Sequence, residues 1–395
     1  MLRAGQIIHL LVIATLCLAV IAVHSADMRM GGPRFEMSSI FTSRHVIYAG
    51  IAVIAMLLAS RLNLREAMSV RWWLNPLVWL LAGSLALVAL AMVPGVGVQF
   101  NGAGRRLGIP GLADINFQPS ELTKWAIVLV LAWWCAKKHE VMHRFFRGVL
   151  PALCIVGFAA ALVVMEDMGT AALMGVVAII LLVAGGARVW QIMLLVPPAL
   201  ALAVGAVIMK PHRIERLMTY LHPWDDMQGA GYQITQSFVS FAEGGFFGAG
   251  LGNGVQKMGY LPTNTSDFLF AVIGLELGMA GVLLVVGLFL AMMWTGLSIV
   301  KRCPDKFGRL VVLGIVATLV LQALINMAVV TGLVPTKGIA LPLLSAGGTG
   351  WIVTAAALGL VSSIDNANHI DAELAEEPEP ALPSAALSVS ATQFD

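Results

Sequence analysis

Asp267 is the strongest candidate for chemistry in this chain, because the segment that follows it, Phe268 to Ile273, is wholly apolar. An ionised carboxylate at the edge of hydrocarbon loses much of its hydration, and residues retained in such places are usually functional. The expected counter-charges are Lys124 and Lys337, each at the edge of another apolar run. The pattern predicts a charged, water-filled cavity within a membrane protein.

Two further charged clusters lie at the start of the apolar run that contains Lys124 and in the loop before it. Glu121 and Lys124 are three residues apart, so on a helix they share a face and can pair, with Ser120 as the predicted cap. The pair either serves a site or only anchors the helix at the membrane interface. Arg105 and Arg106 lie in the preceding loop. They are either solvated or, beside a lipid surface, suited to bidentate binding of phosphate.

The other acidic residues near apolar runs are weaker candidates. Glu276 lies nine residues beyond Asp267, about half a turn away on a helix, so we expect it to hold a neighbouring helix. Glu166 and Asp167 are adjacent in a tight turn, where their side chains diverge and make a poor catalytic dyad. Lys337 has an alternative role as a lysine that extends to the membrane interface.

A glycine-rich run occupies residues 244–254. Bare backbone N–H groups can cradle a phosphate, but the spacing matches neither a dinucleotide fingerprint nor a Walker loop. Glycines also permit tight turns and close helix contacts, which is the favoured interpretation. The four cysteines and eight histidines have no metal-binding or disulfide spacing.

The composition is that of a membrane protein. Of the 395 residues, 59% are hydrophobic and 12% charged, against about 25% charged in soluble domains. Apolar runs of about 18 to 25 residues, each enough to cross ~30 Å of hydrocarbon, recur along the chain. The predicted spans are 6–24, 45–61, 75–93, 120–136, 149–165, 170–187, 190–208, 267–299, 310–332 and 341–363. The net charge of +2 is scattered and no nucleic-acid motif is visible, so no nucleic-acid partner is expected.

The predicted fold is an all-α integral membrane protein of about ten transmembrane helices with one large extracytoplasmic loop, at about 209–266. Basic residues concentrate in the loops after the second, fourth and eighth spans, which places those loops and both termini in the cytoplasm. Residues 1–365 form the predicted membrane domain, and the first span is read as uncleaved. Residues 366–395 form an acidic cytoplasmic tail that we expect to be disordered, because it cannot bury enough apolar surface. A short interfacial helix is expected at 214–221.

Five segments together resemble one family, the SEDS glycosyltransferases of shape, elongation, division and sporulation. The segments run 101–106, 117–124, 223–233, 250–268 and 333–348. Gln256-Lys257 and the Pro-Thr-Lys-Gly at 335–338 favour the division branch (FtsW-like) over the elongation branch (RodA-like). Departures from the family pattern occur at Thr265, Glu166 and Ala346.

The resemblance implies a peptidoglycan glycosyltransferase that transfers a lipid-linked glycan strand to the 4-hydroxyl of lipid II. Asp267 matches the catalytic aspartate and would be the general base. The implied substrate-binding residues are Arg105, Arg106, Glu121, Lys124, Lys337, Gln256 and Lys257, of which the basic ones would hold the lipid diphosphate. A divalent cation, Mg²⁺ or Mn²⁺, is compatible with a diphosphate, although the sequence shows no dedicated cage for one.

The implied partners are lipid II, the nascent lipid-linked glycan, a membrane-anchored class B penicillin-binding transpeptidase and other divisome proteins. The implied location is the bacterial inner membrane. Two other functions remain open: a lipid II flippase, because an intramembrane carboxylate and broken helices also fit a transporter, and a scaffold that recruits partners through its spans and acidic tail.

Overall fold

The structure is a computed structural model that is mostly helical. It describes residues 2–27, 40–41, 43–93, 97–100, 103–109, 112–194, 197, 205, 218–225, 227, 229, 231–253, 267–336, 338–346 and 348–376. The α-helices are α1 Ala4–Ala26, α2 Arg44–Ala59, α3 Glu66–Ser69, α4 Pro76–Ala91, α5 Pro119–Lys137, α6 Leu150–Glu166, α7 Met168–Ala184, α8 Val189–Met193, α9 Tyr232–Gly244, α10 Leu269–Arg302, α11 Lys306–Val330 and α12 Thr349–Glu376. Short 3₁₀ turns lie at Trp72–Leu74 and His139–Val141, and a π turn at Phe145–Val149 precedes α6.

The helices follow the predicted apolar runs. Within the described residues, four helical segments are long and apolar enough to cross a membrane, and three apolar helices are shorter. The four are Ala4–Ala26, Phe145–Met165, Leu269–Arg302 and Lys306–Val330, and the shorter ones are Arg44–Ala59, Pro76–Ala91 and Met168–Ala184. The total of ten spans stays a prediction, since most of the run at 190–208 lies outside the described residues. The interfacial helix expected at 214–221 is described only in part. Residues 218–221 are helical, and residues 214–217 lie outside the described residues.

Helix α5 lies at the centre of the bundle. It is buried on nearly all sides and packs against α4, α7 and α11. Helix α10 packs against α11 and α1, and α12 packs against α2 and α1. We call the end of the bundle that holds Asp267 the Asp267 end, and the opposite end, which holds Arg3, the N-terminal end.

The loop at 94–119 contains a small sheet, so the all-α prediction is wrong there. Strands β1 Gly97–Phe100, β2 Ala103–Ile109 and β3 Leu112–Phe117 form an antiparallel sheet in the order β1-β2-β3. Two-residue connections are typical of antiparallel hairpins. The strands have four to seven residues. They are therefore much shorter than the apolar runs from which the helices were predicted.

The glycine-rich run packs against α10, which confirms the structural interpretation for its described part. A Cβ on Gly244 would lie 2.0 Å from the carbonyl oxygen of Gly274, so the two backbones touch. Helix α10 is interrupted at Gly278, whose φ is 63°. The Met279 N–H donates to Gly245 O at 3.1 Å, and the Ala249 N–H donates to Leu275 O at 2.9 Å. Helix α9 and this run therefore form a hairpin that reaches Gly278, nine residues or about 14 Å from the start of α10.

At the N-terminal end, polar contacts join the last part of α12 to the start of the chain and to the loop after α2. The Gly5 N–H donates to Asp365 Oδ2 at 2.8 Å, so Asp365 holds the first turn of α1. Arg3 pairs with Glu373 at 2.9 Å, and Arg65 pairs with Asp371. Helix α12 continues to Glu376.

The prediction of disorder from residue 366 is therefore wrong for 366–376. Composition measures how much apolar surface a segment can bury, but it does not register ion pairs. A segment that continues an existing helix also avoids the cost of nucleation. Residues 377–395 lie outside the described residues.

Candidate functional site

Asp267 lies two residues before α10 begins, and its side chain is half-buried. The segment 338–340 passes beside its carboxylate, since a Cβ on Gly338 would lie 3.1 Å from Asp267 Oδ2. The backbone of Asp267 is fixed from α11, where Asn326 Nδ2 donates to its carbonyl oxygen at 2.8 Å. Three separate parts of the chain therefore meet at Asp267.

Two amide side chains on α11 hold the segment 338–340 in place. Gln322 Nε2 donates to Ala340 O at 2.9 Å, and Asn326 Nδ2 donates to Ile339 O at 2.7 Å. The two residues are four apart and so lie on the same face of α11. Both are buried, at 5% and 1% exposure. They supply donors to carbonyl groups of a segment that has no regular secondary structure.

Lys124 is the buried cation of the site. Its Nζ donates to Glu121 Oε2 and to Gln322 Oε1, both at 2.7 Å. Lys124 is 1% exposed, whereas a lysine that only anchors a helix at the membrane interface keeps its ammonium in water. Through Gln322, the pair is connected to the segment 338–340, and so to the surroundings of Asp267. A buried ion pair needs such additional hydrogen bonds to offset the lost hydration.

The first turn of α5 differs from the prediction in one detail. The helix begins at Pro119, in the first-turn position where proline costs no hydrogen bond, and Gln118 occupies the cap position. Ser120 is therefore inside the helix and is not its cap. Its hydroxyl accepts a hydrogen bond from Gln118 Nε2 at 3.2 Å.

The structure brings some of the predicted site residues together and leaves others undescribed. Asp267, Glu121 and Lys124 all lie at the Asp267 end and are linked through α11. The backbones of Arg105 and Arg106 lie in β2, at the same end of the bundle. The residues that lie outside the described part of the chain are Lys337, Gln256 and Lys257.

Gln322 and Asn326 were missed by the sequence-based search. Both lie inside the apolar run 310–332, and two uncharged amides do not interrupt its hydrophobic pattern. The available signal was their spacing, since two amides one turn apart within an apolar helix must find polar partners on a single face.

The other acidic candidates have structural roles. Glu276 is 2% exposed, and the hydroxyl of Ser25 on α1 donates to both of its carboxylate oxygens at 2.8 Å. The expectation that Glu276 holds a neighbouring helix is confirmed. Asp167 caps α7 by accepting from the backbone N–H groups of Gly169 and Thr170.

No group of three His, Cys, Asp or Glu side chains is arranged to hold a metal ion within the described ranges. The described residues of the site include one half-buried carboxylate, a buried ammonium and two amides that order the chain around them. In a site with little water, a carboxylate held in this way can accept a proton from a substrate hydroxyl.

Comparison with known proteins places these features in a family. Residues 6–370 match the family of cell cycle proteins that comprises FtsW, RodA and SpoVE. The probable peptidoglycan glycosyltransferase FtsW of Geobacter metallireducens is 38% identical over 363 residues, which cover 92% of this chain and 94% of that protein. Stage V sporulation protein E of Bacillus subtilis is 38% identical over 363 residues, covering 90% and 96%.

Solved structures show the same fold. A chain from a peptidoglycan synthase complex, described as coordinating polymerization and crosslinking, superposes with a TM-score of 0.69 at 25% identity, covering 92% of this chain and 97% of that one. The rod shape determining protein RodA of Thermus thermophilus superposes with a TM-score of 0.61 at 23% identity, covering 92% and 96%. The resemblance drawn from the five sequence segments is thereby confirmed. The chain belongs to the FtsW, RodA and SpoVE family of cell cycle proteins.

Proposed function

We propose that this protein is a peptidoglycan glycosyltransferase that polymerises lipid II into glycan strands during bacterial cell division. The observation that carries the proposal is the half-buried carboxylate of Asp267 at the mouth of α10, beside the segment that follows Lys337. The names of the relatives, which are probable peptidoglycan glycosyltransferases of the FtsW type, support both the reaction and the division role.

In the proposed reaction, the 4-hydroxyl of lipid II attacks the anomeric carbon of the lipid-linked strand. Asp267 accepts the hydroxyl proton as the new glycosidic bond forms, and the lipid diphosphate departs with the electrons of the broken C–O bond. Attack opposite the leaving group inverts the anomeric centre.

The diphosphate gains negative charge as it leaves, and cations placed in advance stabilise it. We assign this role to Arg105, Arg106 and Lys337, with Gln256 and Lys257 as further substrate contacts. Lys124 and Glu121 complete the proposed substrate-binding set. The ammonium of Lys124 contributes through its field, since its contacts to Glu121 and Gln322 keep it inside the protein.

The test is polymerisation of labelled lipid II by the purified full chain, with products sized on a gel. Asp267→Asn preserves shape and removes the base, so we expect loss of strand synthesis while membrane insertion stays normal. Asp225→Asn is the matched control, because Asp225 is an exposed aspartate in the loop before α9. Wild-type polymerisation by Asp267→Asn would refute the base assignment.

The same assay separates polymerisation from transport. Helix α10 is interrupted at Gly278, and interrupted membrane helices are also found in transporters. A flippase moves lipid II intact across a vesicle membrane, whereas the proposed enzyme makes longer glycan. Transport without elongation would replace the proposal with the flippase function.

We further propose that the protein lies in the inner membrane with both termini in the cytoplasm. The contacts of Arg3 with Glu373 and of Arg65 with Asp371 support one shared side for the N-terminus, the first basic loop and the end of α12. Labelling of single cysteines placed at Arg3 and at Asp225 in intact cells tests this. Only the cysteine at residue 225 should react with an impermeant reagent.

A membrane-anchored class B penicillin-binding transpeptidase is the proposed partner, together with other divisome proteins. The similar chain from a complex that couples polymerization to crosslinking supports this assignment. Adding a purified transpeptidase to the lipid II assay should raise the polymerisation rate. An unchanged rate together with no co-purification would contradict it.

A further inference from the structure

We infer that Asn326 is a positioning residue that sets the distance between the base Asp267 and the segment 338–340. The inference rests on the proposed function, because it assigns a role in the same reaction. It concerns a residue that does not touch the reacting atoms and acts through the backbone on either side of the site.

Asn326 uses both N–H groups of one amide nitrogen on two different parts of the chain. Its Nδ2 donates to Asp267 O at 2.8 Å and to Ile339 O at 2.7 Å. Reversing the amide would place Oδ1 against two carbonyl oxygens, so these acceptors fix its orientation. The mouth of α10 and the segment 338–340 are therefore fastened to one atom.

The fastened elements are those that meet at the carboxylate. Gly338 is the residue beside Asp267 Oδ2, and it directly precedes Ile339, which Asn326 binds. One turn away, Gln322 binds Ala340 in the same manner, so two successive residues of the segment are held from α11. A change at Asn326 is thus expected to alter the spacing between the base and the segment 338–340.

The nitrogen and the oxygen of the Asn326 amide have different surroundings. Asn326 is 1% exposed, and its Oδ1 is buried with no hydrogen-bond partner within the described part of the chain. A buried polar atom without a protein partner calls for an explanation, and a role in a functional site is one such explanation. What the residue contributes is therefore two donors directed at the site.

Three variants test the inference in the lipid II polymerisation assay. Asn326→Ala removes both donors, and Asn326→Asp keeps the shape but turns oxygen toward the two carbonyls. Thr318→Val is the matched control, because Thr318 is similarly buried two turns away on α11 and its hydroxyl donates to Gly314 of its own helix. Lipid II binding, with its stoichiometry, is measured alongside the rate.

We expect Asn326→Ala to lower kcat about 100-fold, as for a misplaced catalytic group, with KM changed by no more than about 2-fold. The rate should fall in the order Asn, Ala, Asp. Thr318→Val should keep the wild-type rate per bound lipid II. A purely structural role would instead reduce the amount of lipid II bound and leave the rate per bound lipid II unchanged, which would overturn the inference.

The Asp267→Asn variant, assayed in parallel, separates the two hypotheses. If it is inactive while Asn326→Ala polymerises at the wild-type rate, this inference is wrong and the proposed function stands. If Asp267→Asn retains the wild-type rate, both are wrong, because Asn326 then has no base to position.

Discussion

Ion pairs occur at both ends of the bundle, and they differ in burial. At the Asp267 end, the side chains of Lys124 and Glu121 are 2% and 15% exposed, whereas at the N-terminal end those of Arg3 and Glu373 are 41% and 64% exposed. A buried pair is stabilised only when further hydrogen bonds satisfy it, as Gln322 does for Lys124. An exposed pair is weakened by water and salt. A basic–acidic pair is therefore part of a buried hydrogen-bond network at the Asp267 end, whereas at the N-terminal end an exposed pair joins α12 to the start of the chain.

The largest effect should come from removing the buried ammonium. Lys124→Met leaves the Glu121 carboxylate without its cation, and we expect a loss of about 3–5 kcal/mol of stability. Thermal unfolding in detergent measures it. The double variant Lys124→Met with Glu121→Gln should recover much of that stability without recovering polymerisation. An unchanged melting temperature in Lys124→Met would show that the buried pair contributes no more to stability than the exposed pair at the N-terminal end.

The Asp267 end also depends on backbone shape at the interruption of α10. Gly278→Ala forces a side chain onto a residue with φ of 63°, where its Cβ would lie 2.4 Å from Gly248 N. Strain and overlap together should cost about 2–4 kcal/mol. Gly287→Ala, in the same helix and with open space around it, should stabilise by about 0.5–1 kcal/mol. Equal melting temperatures for the two variants would contradict this expectation.

A smaller effect is expected where α1 is held to α10. Ser25→Ala leaves the buried Glu276 carboxylate without its hydroxyl donor, which should cost about 1–3 kcal/mol. Ser298→Ala is the control, because that hydroxyl bonds to Thr295 of its own helix. The two variants should separate in thermal unfolding, and identical curves would show that Glu276 does not need Ser25.

The smallest effect should be at the N-terminal end. Arg3→Ala or Glu373→Ala should each change stability by less than about 1 kcal/mol, and the difference should shrink further as salt is added. Unfolding at low and high salt measures this. A loss as large as that of Lys124→Met would show that exposure does not decide the contribution of these pairs.

The sequence predicted features that depend on local pattern. The apolar runs gave the helices, the position of Asp267 gave the candidate base, and the half-turn offset gave the structural role of Glu276. The Glu121–Lys124 pair was also predictable from its three-residue spacing. Each of these needs only residues that are close in sequence.

The features that were missed depend on contacts between distant residues. Gln322 and Asn326 acquire their role only when the segment 338–340 folds back over α11. Within 366–376, Glu373 and Asp371 contact Arg3 and Arg65, which are about 300 or more residues away. The sheet at 97–117 depends on strand pairing in a loop whose strands are individually short. Neither composition nor periodicity contains that information.

The interruption of α10 has a mechanical consequence. At Gly278 the helix exchanges its own main-chain bonds for bonds to the hairpin, since the Met279 N–H binds Gly245 and the Leu275 carbonyl binds Ala249. The first nine residues of α10 are thus joined to the remainder at an interruption where the hairpin supplies main-chain hydrogen-bond partners. The position of these nine residues, and of Asp267 before them, relative to the rest of α10 therefore depends on the hairpin as well as on the helix itself.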